Sequence, residues 1–238
     1  MIRLTQGVPM RLAAVRARIR AAEDRFEREP GSVALLAVSK KQEVAKICAA
    51  FAAGQTAFGE SYTQEAAEKM GVLKAPGLQW HFIGHIQSNK TRQIAERFDW
   101  VHSLCDIRHA QRLSKQRPAR LPPLRACVQV NLDPELGKAG LPPAQVADFI
   151  TACAGLQGLK LVGLMTLPAP REDEEARRRP FRALRLLRDR ISTGDRTGAA
   201  LPLPVLSMGM SADLEAAIAE GATIVRVGTA VLGSRDDR

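Results

Sequence analysis

The chain has 238 residues, of which 45% are hydrophobic and 25% are charged, a composition that is ordinary for a globular protein. No stretch approaches 18 uninterrupted apolar residues, which excludes a transmembrane helix. The formal net charge of +10 comes mostly from scattered arginines, and only 4% of the residues are aromatic. A solvated basic surface is therefore favoured over nucleic-acid binding, and no membrane partner is expected.

The four cysteines contain no Cys-x-x-Cys pair, and each lies in an apolar stretch. They are Cys48, Cys105, Cys127 and Cys153. Buried free thiols in a reducing compartment explain this pattern best, so a cytoplasmic protein is expected.

Residues 1–28 are rich in arginine and contain no acid before Glu23, a composition that also occurs in mitochondrial transit peptides. Apolar residues recur there at three- and four-residue spacing, which predicts one buried helical face. They are Val8, Leu12, Val15, Ile19, Ala22 and Phe26. We expect an N-terminal helix packed on the rest of the protein.

Strand-like and helix-like patterns alternate from residue 33 onward. In the first half, the predicted strands are Val33–Ser39, Thr56–Gly59, Gln79–Gly84 and Trp100–Leu104. The predicted helices between and after them are Gln42–Ala53, Ser61–Met70, Lys90–Phe98 and Asp106–Gln116.

The second half repeats this alternation. Its predicted strands are Leu124–Asn131, Leu159–Met165, Pro204–Ser207 and Thr223–Val227. Its predicted helices run from Pro142 to Ala154, over Pro180–Ile191 with Pro180 in the first turn, and over Asp213–Glu220.

Eight short, mostly apolar strands with helices between them predict parallel pairing and closure into a (β/α)₈ TIM barrel. The length of 238 residues suits one barrel domain that spans residues 1–238, and no segment has the character of an interdomain linker. The chain ends soon after the eighth strand, and the N-terminal helix is expected to occupy the place of a full eighth helix.

Lys40 follows the first predicted strand, and the active groups of such barrels lie at the carboxyl ends of the strands. A lysine desolvated there has its neutral form favoured, and the neutral amine attacks carbonyl groups to form imines. An ordinary surface lysine in the turn after a strand is the alternative interpretation, and we expect that role for the adjacent Lys41.

Two further groups of residues fall at strand ends near the end of the chain. Ser207–Ser211 precedes a helix that Ser211 can cap, with Asp213 in its first turn, and it offers backbone N–H groups to a phosphate. An ordinary loop with a capping serine is the alternative. Gly228 allows close backbone approach and Thr229 adds a hydroxyl at the last strand.

Arg226 lies inside the apolar eighth strand, and a buried guanidinium requires an acceptor. That acceptor is either a structural partner inside the barrel or a ring nitrogen of a cofactor. A carbonyl-reactive lysine that faces a phosphate-binding loop suggests pyridoxal phosphate.

The histidines predict no metal site. His81 and His85 are four residues apart but lie on a strand-to-loop segment, with no acidic companion. His102 and His109 are expected to be core or surface residues.

Seven segments together resemble the pyridoxal phosphate homeostasis proteins, whose barrel is similar to the N-terminal domain of alanine racemase. The segments span residues 33–233 in order and are Leu36–Lys40, Phe58–Tyr62, Trp80–Lys90, Val130–Asn131, Gly163–Met165, Leu206–Ser211 and Val225–Gly233. Ser61 departs from the asparagine that is usual in the family, and Gly137-Lys138 departs from a more usual Ser-Lys.

The resemblance implies that Lys40 carries pyridoxal 5'-phosphate as a covalent aldimine and that Arg226 faces the pyridine nitrogen. It further implies that the phosphate is surrounded by Ser207, Gly209, Ser211, Gly228 and Thr229, and that Asn131 and Met165 line the ring. An arginine stays protonated, so the ring nitrogen stays unprotonated and the cofactor is a weak electron sink.

Two functions follow from the resemblance. The first is a non-enzymatic carrier in vitamin B6 homeostasis, with pyridoxal phosphate-dependent apo-enzymes as possible partners. The second is an amino-acid racemase, which needs a second base that this chain, with the single tyrosine Tyr62, is not expected to supply. A sugar-phosphate enzyme that uses Lys40 as an aldolase-type imine is a third reading. The carrier is favoured, and a monomer is expected.

Overall fold

The computed structural model describes residues 7–133, 139–194 and 201–234. Its eight strands are β1 (Ala34–Val38), β2 (Ala57–Glu60), β3 (Gln79–Phe82), β4 (Trp100–Leu104), β5 (Leu124–Gln129), β6 (Leu159–Met165), β7 (Val205–Ser207) and β8 (Ile224–Val227). All neighbouring strands are parallel, and β8 pairs with β1, so the sheet closes into a barrel in sequence order. The predicted (β/α)₈ fold is confirmed.

The α-helices surround this barrel. They are α1 (Val8–Arg25), α2 (Val44–Ala52), α3 (Thr63–Val72), α4 (Thr91–Arg97), α5 (Ile107–Gln116), α6 (Val146–Ala152), α7 (Glu174–Ser192), α8 (Leu214–Ala219) and α9 (Thr229–Leu232). Short 3₁₀ helices at Ser88–Lys90 and Pro143–Gln145 precede α4 and α6.

Two apolar clusters form because strand residues alternate between the two faces of the sheet. The larger cluster lies between the sheet and the helices, and Phe58, Val101 and Leu164 are among its members. The smaller cluster fills the inside of the barrel, with Leu36 and Met165 among its members. The alternation is interrupted in β4 and β6, where the strand register shifts.

Helix α1 packs against α2, α8 and α9, the helices that flank β1 and β8 in the chain. The last of them, α9, has only four residues, which is too short to cover this part of the barrel alone. The predicted stripe from Val8 to Ala22 is buried and Phe26 packs partly against the core. The guanidinium Nε of Arg11 donates to the carbonyl of Val231 at 3.2 Å. The N-terminal helix thus takes the place of a longer final helix; residues 1–6 of the predicted range lie outside the described residues.

Helix α7 begins earlier than predicted. The side chain of Asp173 accepts hydrogen bonds from the backbone N–H groups of Glu175 and Ala176 and so caps a helix that starts at Glu174. Pro180 is therefore inside the helix, and the first-turn position predicted for it is wrong. A proline there removes one helical hydrogen bond, at a cost of about 3 kcal/mol; its buried ring and the buried Phe181 offset part of that cost.

Helix α8 begins at Leu214, and its N-cap residue is Asp213 rather than Ser211, so the predicted capping by Ser211 is wrong. The Asp213 carboxylate accepts a hydrogen bond from the backbone N–H of Met210 at 2.5 Å. The loop after β7 is closed by this bond, and the Ser211 side chain is left outside the helix.

Two of the cysteines, Cys127 and Cys153, are buried as expected, whereas Cys48 and Cys105 are only half-buried. All four are free thiols. Within the described ranges, every helix is too short or too polar to cross a lipid bilayer.

Leu12→Ala tests the packing of α1. Leu12 is 1% exposed, so truncation should lower the free energy of unfolding by about 2–5 kcal/mol. Urea unfolding followed by circular dichroism measures the effect. Met10→Ala is the control on the same helix, because Met10 is 72% exposed and its truncation should change stability by no more than about 0.5 kcal/mol. Equal effects of both substitutions would show that α1 does not cover the barrel in solution.

Candidate functional site

Lys40 lies in the turn that follows β1, at the carboxyl end of the barrel. Leu36 packs inside the barrel, and the alternation of β1 points Val38 the same way. The strand ends at Val38, and Lys40 lies two residues beyond it in the turn. Lys40 is half-buried there, whereas Lys41 is exposed.

The residues on both sides of Lys40 are held by a buried ionic cluster. Lys69 Nζ donates to the backbone carbonyl of Ser39 at 2.6 Å, to Glu60 at 2.7 Å and to Glu65 at 2.6 Å. The Ser39 hydroxyl donates to Glu60 at 2.6 Å. This cluster fixes the residue before Lys40.

The residue after Lys40 is fixed by the same cluster. The backbone N–H of Lys41 donates to Glu65, and Lys41 has a φ of +57°, in the left-handed region that non-glycine residues rarely adopt. Such a conformation costs on the order of 1–3 kcal/mol and persists only where neighbouring contacts enforce it. The turn at Lys40 is therefore held in one shape.

Burial raises the pKa of Glu60, while the Lys69 ammonium and its hydrogen bond act in the opposite direction. Lys69 and Glu60 are 4% and 0% exposed, so removal of the Lys69 charge would leave the Glu60 carboxylate without a cation in the protein interior. The turn that carries Lys40 depends on this pair.

Arg226 points into the barrel from β8 and is 4% exposed. Its Nη1 donates to Ser207 Oγ at 2.8 Å and its Nη2 donates to the Thr166 carbonyl at 2.9 Å. In the part of the chain that the structure describes, no carboxylate forms an ion pair with this guanidinium. The Ser207 hydroxyl and the Thr166 carbonyl are both uncharged, so neither acceptor neutralises the positive charge.

Burial lowers the pKa of Arg226 to about 10, with the more distant Asp213 and Cys127 acting in the opposite direction. A guanidinium with that pKa is still protonated at neutral pH and can only donate hydrogen bonds. Arg226 is thus available to bind an acceptor in the mouth of the barrel.

Two buried histidines continue the polar contacts of Arg226. His102 Nδ1 lies 2.8 Å from Ser207 Oγ, and its Nε2 lies 2.9 Å from Nδ1 of His81. His102 was expected to be a core or surface residue and His81 was expected to bind no metal, and the sequence motifs gave no indication of this contact with Arg226. The alternation of β3 and β4, which points both histidines inward, is the signal that could have revealed it.

The loop after β7 passes directly beside β8. The carbonyl of Gly209 accepts a hydrogen bond from the Arg226 backbone N–H at 3.0 Å. Gly209 has a φ of +92°, and an added Cβ would lie 2.5 Å from the Cβ of Ala217. Only glycine fits there, and it lets the backbone of this loop approach the site closely.

Ser211 is half-buried in the same loop, and its carbonyl accepts a hydrogen bond from Arg18 of α1 at 3.2 Å. Gly228 follows β8, where an added Cβ would lie 3.4 Å from the carbonyl oxygen of Val38, and Thr229 is exposed at the start of α9. The first N–H groups of a helix have no partner within the helix. These residues place hydroxyl and amide donors at the same end of the barrel as Lys40.

Met165 is 1% exposed at the end of β6, where it pairs in register with Ser207, and it belongs to the interior cluster. Asn131 follows β5, and its side-chain oxygen accepts a hydrogen bond from the backbone N–H of Asp133 at 3.1 Å. Both lie at the carboxyl ends of their strands.

The two departures from the family pattern fall in different places. Ser61 is half-buried after β2, and its backbone contacts Gly84, where an added Cβ would collide with the Ser61 carbonyl oxygen. Gly137-Lys138 lies outside the described residues.

No group of three or more metal-binding side chains occurs in residues 7–133, 139–194 and 201–234. The other two histidines lie outside the barrel: His85 is exposed and His109 is half-buried. The Nε2 atom of His109 lies 3.0 Å from Ser88 Oγ. His85 lies close enough to lower the pKa of His109, an effect smaller than that of burial.

The residues at the mouth fit a ligand that has an aldehyde, a ring acceptor and a phosphate. Lys40 offers an amine, Arg226 offers an obligate donor that is not paired with a carboxylate among the described residues, and the Gly209 loop allows close backbone approach. This donor set has separate groups for each of the three chemical features.

Comparison with known proteins gives a consistent result. Residues 10–236 match the family model described as the N-terminal domain of alanine racemase. The pyridoxal phosphate homeostasis protein of Pseudomonas aeruginosa is 50% identical over 225 residues, which covers 94% of each chain. The protein of the same name from Escherichia coli K12 is 45% identical, with coverage of 94% of this chain and 95% of that one.

Solved structures agree. PipY of Synechococcus elongatus with bound PLP is 36% identical and superposes with a TM-score of 0.82, covering 95% of this chain and all of PipY. Alanine racemase of Corynebacterium glutamicum is 17% identical with a TM-score of 0.64, which shows a shared fold. The chain therefore belongs to the pyridoxal phosphate homeostasis protein family, which is built on the alanine racemase N-terminal domain.

Proposed function

We propose that this protein binds pyridoxal 5'-phosphate at the mouth of its barrel, bound covalently by Lys40, and serves as a non-enzymatic carrier in vitamin B6 homeostasis. The names of its relatives and the PLP-bound PipY structure support the homeostatic role and the ligand. The arrangement of Lys40 and Arg226 supports the mode of binding.

The position of Lys40 relative to Arg226 carries the proposal. Arg226 is level with Leu36 in the pairing of β8 with β1. Lys40 is four residues further along, at most about 13 Å at 3.3 Å per residue, because β1 ends at Val38 and the chain turns before Lys40. Two long side chains that lean toward each other across that separation can contact the two ends of one aromatic ring.

The ligand supplies a carbonyl carbon, and this chain supplies an amine. Nζ of Lys40, in its neutral form, attacks the aldehyde, and loss of one water leaves a C=N bond to the lysine. The fixed turn at Lys40 holds the amine in place before the ligand arrives, which reduces the ordering that binding requires.

Arg226 would donate to the ring nitrogen, which leaves that nitrogen unprotonated because the guanidinium keeps its proton. An unprotonated ring withdraws electrons weakly, which suits holding the cofactor better than catalysing amino-acid chemistry. At the other end, Gly209, Ser211, Gly228 and Thr229 would bind the phosphate.

Asn131 and Met165 would flank the ring from the opposite side of the barrel. A racemase needs a second base across the ring from the lysine. Tyr62 caps α3 after β2, the strand beside β1, and is exposed, so it lies on the lysine side of the barrel. This position favours a carrier, and we propose a cytoplasmic monomer that delivers the cofactor to apo-enzymes.

Lys40→Ala tests the covalent attachment. Wild-type protein loaded with pyridoxal 5'-phosphate should show a visible imine band that borohydride removes, and mass spectrometry of the digested protein should find the pyridoxyl group on the Lys40 peptide. The variant should lack both signals because it has no amine at this position. Lys41→Ala, which removes the exposed neighbour, should keep both.

A pyridoxyl group on another peptide, or wild-type protein that takes up no cofactor, would contradict the proposal. Amino-acid racemisation by the wild type that disappears in Lys40→Ala would replace the carrier by an enzyme.

Lys69→Met tests the cluster that fixes the Lys40 turn. It leaves Glu60 buried without its cation, so the free energy of unfolding should fall by about 3–5 kcal/mol. Urea unfolding measures the loss. Glu60→Gln combined with Lys69→Met should recover part of it, since the buried negative charge is then also absent.

Arg92→Met is the matched control for this prediction, because it breaks the exposed pair with Glu96 and should cost about 0.2–1 kcal/mol. If Lys69→Met costs no more than Arg92→Met, the cluster does not hold the turn.

A further inference from the structure

A continuous chain of buried polar side chains crosses the inside of the barrel from β8 to β3. Arg226 Nη1 contacts Ser207 Oγ at 2.8 Å, Ser207 Oγ contacts His102 Nδ1 at 2.8 Å, and His102 Nε2 contacts His81 Nδ1 at 2.9 Å. Each of the four side chains belongs to a residue that is at most 4% exposed. Below the last of them, Trp100 stacks on His81 with ring centroids 5.1 Å apart and planes at 8°.

We expect both histidines to be neutral, because each ring is fully buried among hydrogen-bonding partners. Burial lowers the pKa of His81 to about 3, and the charge of Arg125 acts in the same direction. The pKa of His102 is also far below its usual range, mainly through burial and then through His81 and Arg226. A neutral imidazole has one nitrogen that donates and one that accepts, so each ring has a definite tautomer.

Arg226 determines which atom donates in each of these hydrogen bonds, because a guanidinium can only donate. Ser207 Oγ accepts a hydrogen bond from Arg226 and donates its own hydroxyl hydrogen in a second hydrogen bond to His102 Nδ1. His102 then carries its proton on Nε2 and donates to Nδ1 of His81. All three hydrogen bonds are satisfied in this arrangement, whereas the reverse tautomers leave the Ser207 proton without an acceptor among the four residues.

The series of hydrogen bonds ends at an unsatisfied atom of His81. Nε2 of His81 is buried and has no hydrogen-bond partner among the described residues, and an unsatisfied buried polar atom destabilises the folded state. Apolar side chains in place of the two imidazoles would avoid this cost. Local costs of this kind concentrate at functional sites, and here the opposite end of the chain is the guanidinium at the mouth.

We propose that Ser207, His102 and His81 are positioning residues that orient Arg226 toward the ring of the bound cofactor, with both histidines protonated at Nε2. The inference rests on the proposed function. It gives Ser207 a different role from that of Ser211 and Thr229. Ser207 is 0% exposed and its hydroxyl is engaged inside the barrel, whereas Ser211 is half-buried and Thr229 is exposed.

Nuclear magnetic resonance of wild-type protein labelled with ¹⁵N-histidine and free of cofactor tests the tautomers, with substitutions used only to assign the signals. We expect two neutral rings protonated at Nε2, assigned to His81 and His102 through His81→Phe and His102→Phe. An Nδ1-protonated ring or an imidazolium at either position at neutral pH would overturn the proposed chain.

Ser207→Ala tests the effect on the cofactor site. Removal of the hydroxyl leaves an Arg226 donor unpaired, so the dissociation constant for pyridoxal 5'-phosphate should rise about tenfold. The absorption maximum of the bound cofactor should shift because its ring partner moves. Ser207→Thr, which keeps a hydroxyl, should restore the wild-type absorption maximum.

Ser103→Ala is the matched control. Ser103 is a buried serine whose hydroxyl donates to the Gly84 carbonyl, outside the chain of Arg226. It should bind the cofactor with wild-type affinity and spectrum. If Ser207→Ala behaves like Ser103→Ala while the wild type binds normally, the positioning role is wrong and the proposed function stands. Wild-type protein that binds no pyridoxal 5'-phosphate would instead refute the proposed function.

If Ser207→Ala does not fold, the tautomers of His81 and His102 in the wild-type protein decide the proposal, and protonation of either ring at Nδ1 refutes it.

Discussion

The buried guanidinium of Arg226 is the interaction that organises the inside of the barrel. Its charge is held by a serine hydroxyl and a backbone carbonyl, and no carboxylate pairs with it among the residues that the structure describes. A buried charge without a partner costs several kcal/mol. The polar interior, from Thr166 to the two histidines, exists in a region where a barrel of this size is normally filled by branched apolar side chains.

The fold could be predicted from the sequence because strand and helix patterns differ in period and repeat eight times. The predicted limits of β4 and β6 coincide with the observed ones. Helix ends were less predictable, since they depend on capping contacts. Asp173 caps α7, which therefore begins at Glu174, six residues before Pro180. The N-cap residue of α8 is Asp213 and not Ser211.

The candidate site was only partly predictable, for a geometric reason. Motifs at strand ends, such as Lys40 and Arg226, are visible because barrel chemistry collects there. The groups that support them come from residues distant in sequence. His102 contacts Ser207 across 105 positions, and Lys69 reaches Ser39 from the far end of a helix. Alternation along β3 and β4 indicates that the histidines point inward, but partners across a barrel follow only from the closed structure.

The hydrogen bonds on both sides of Lys40 restrict how a bound ligand could leave the site. Ser39 and Lys41 are each tied to the Glu60–Lys69–Glu65 cluster, so the main chain of this turn is rigid when a ligand arrives or departs. Under the proposed covalent attachment, release would require hydrolysis of the bond to Lys40 and rotation of its side chain, while the main chain of the turn keeps its contacts. For the proposed linkage, the access of water to a single carbon–nitrogen bond would then govern the rate of unloading.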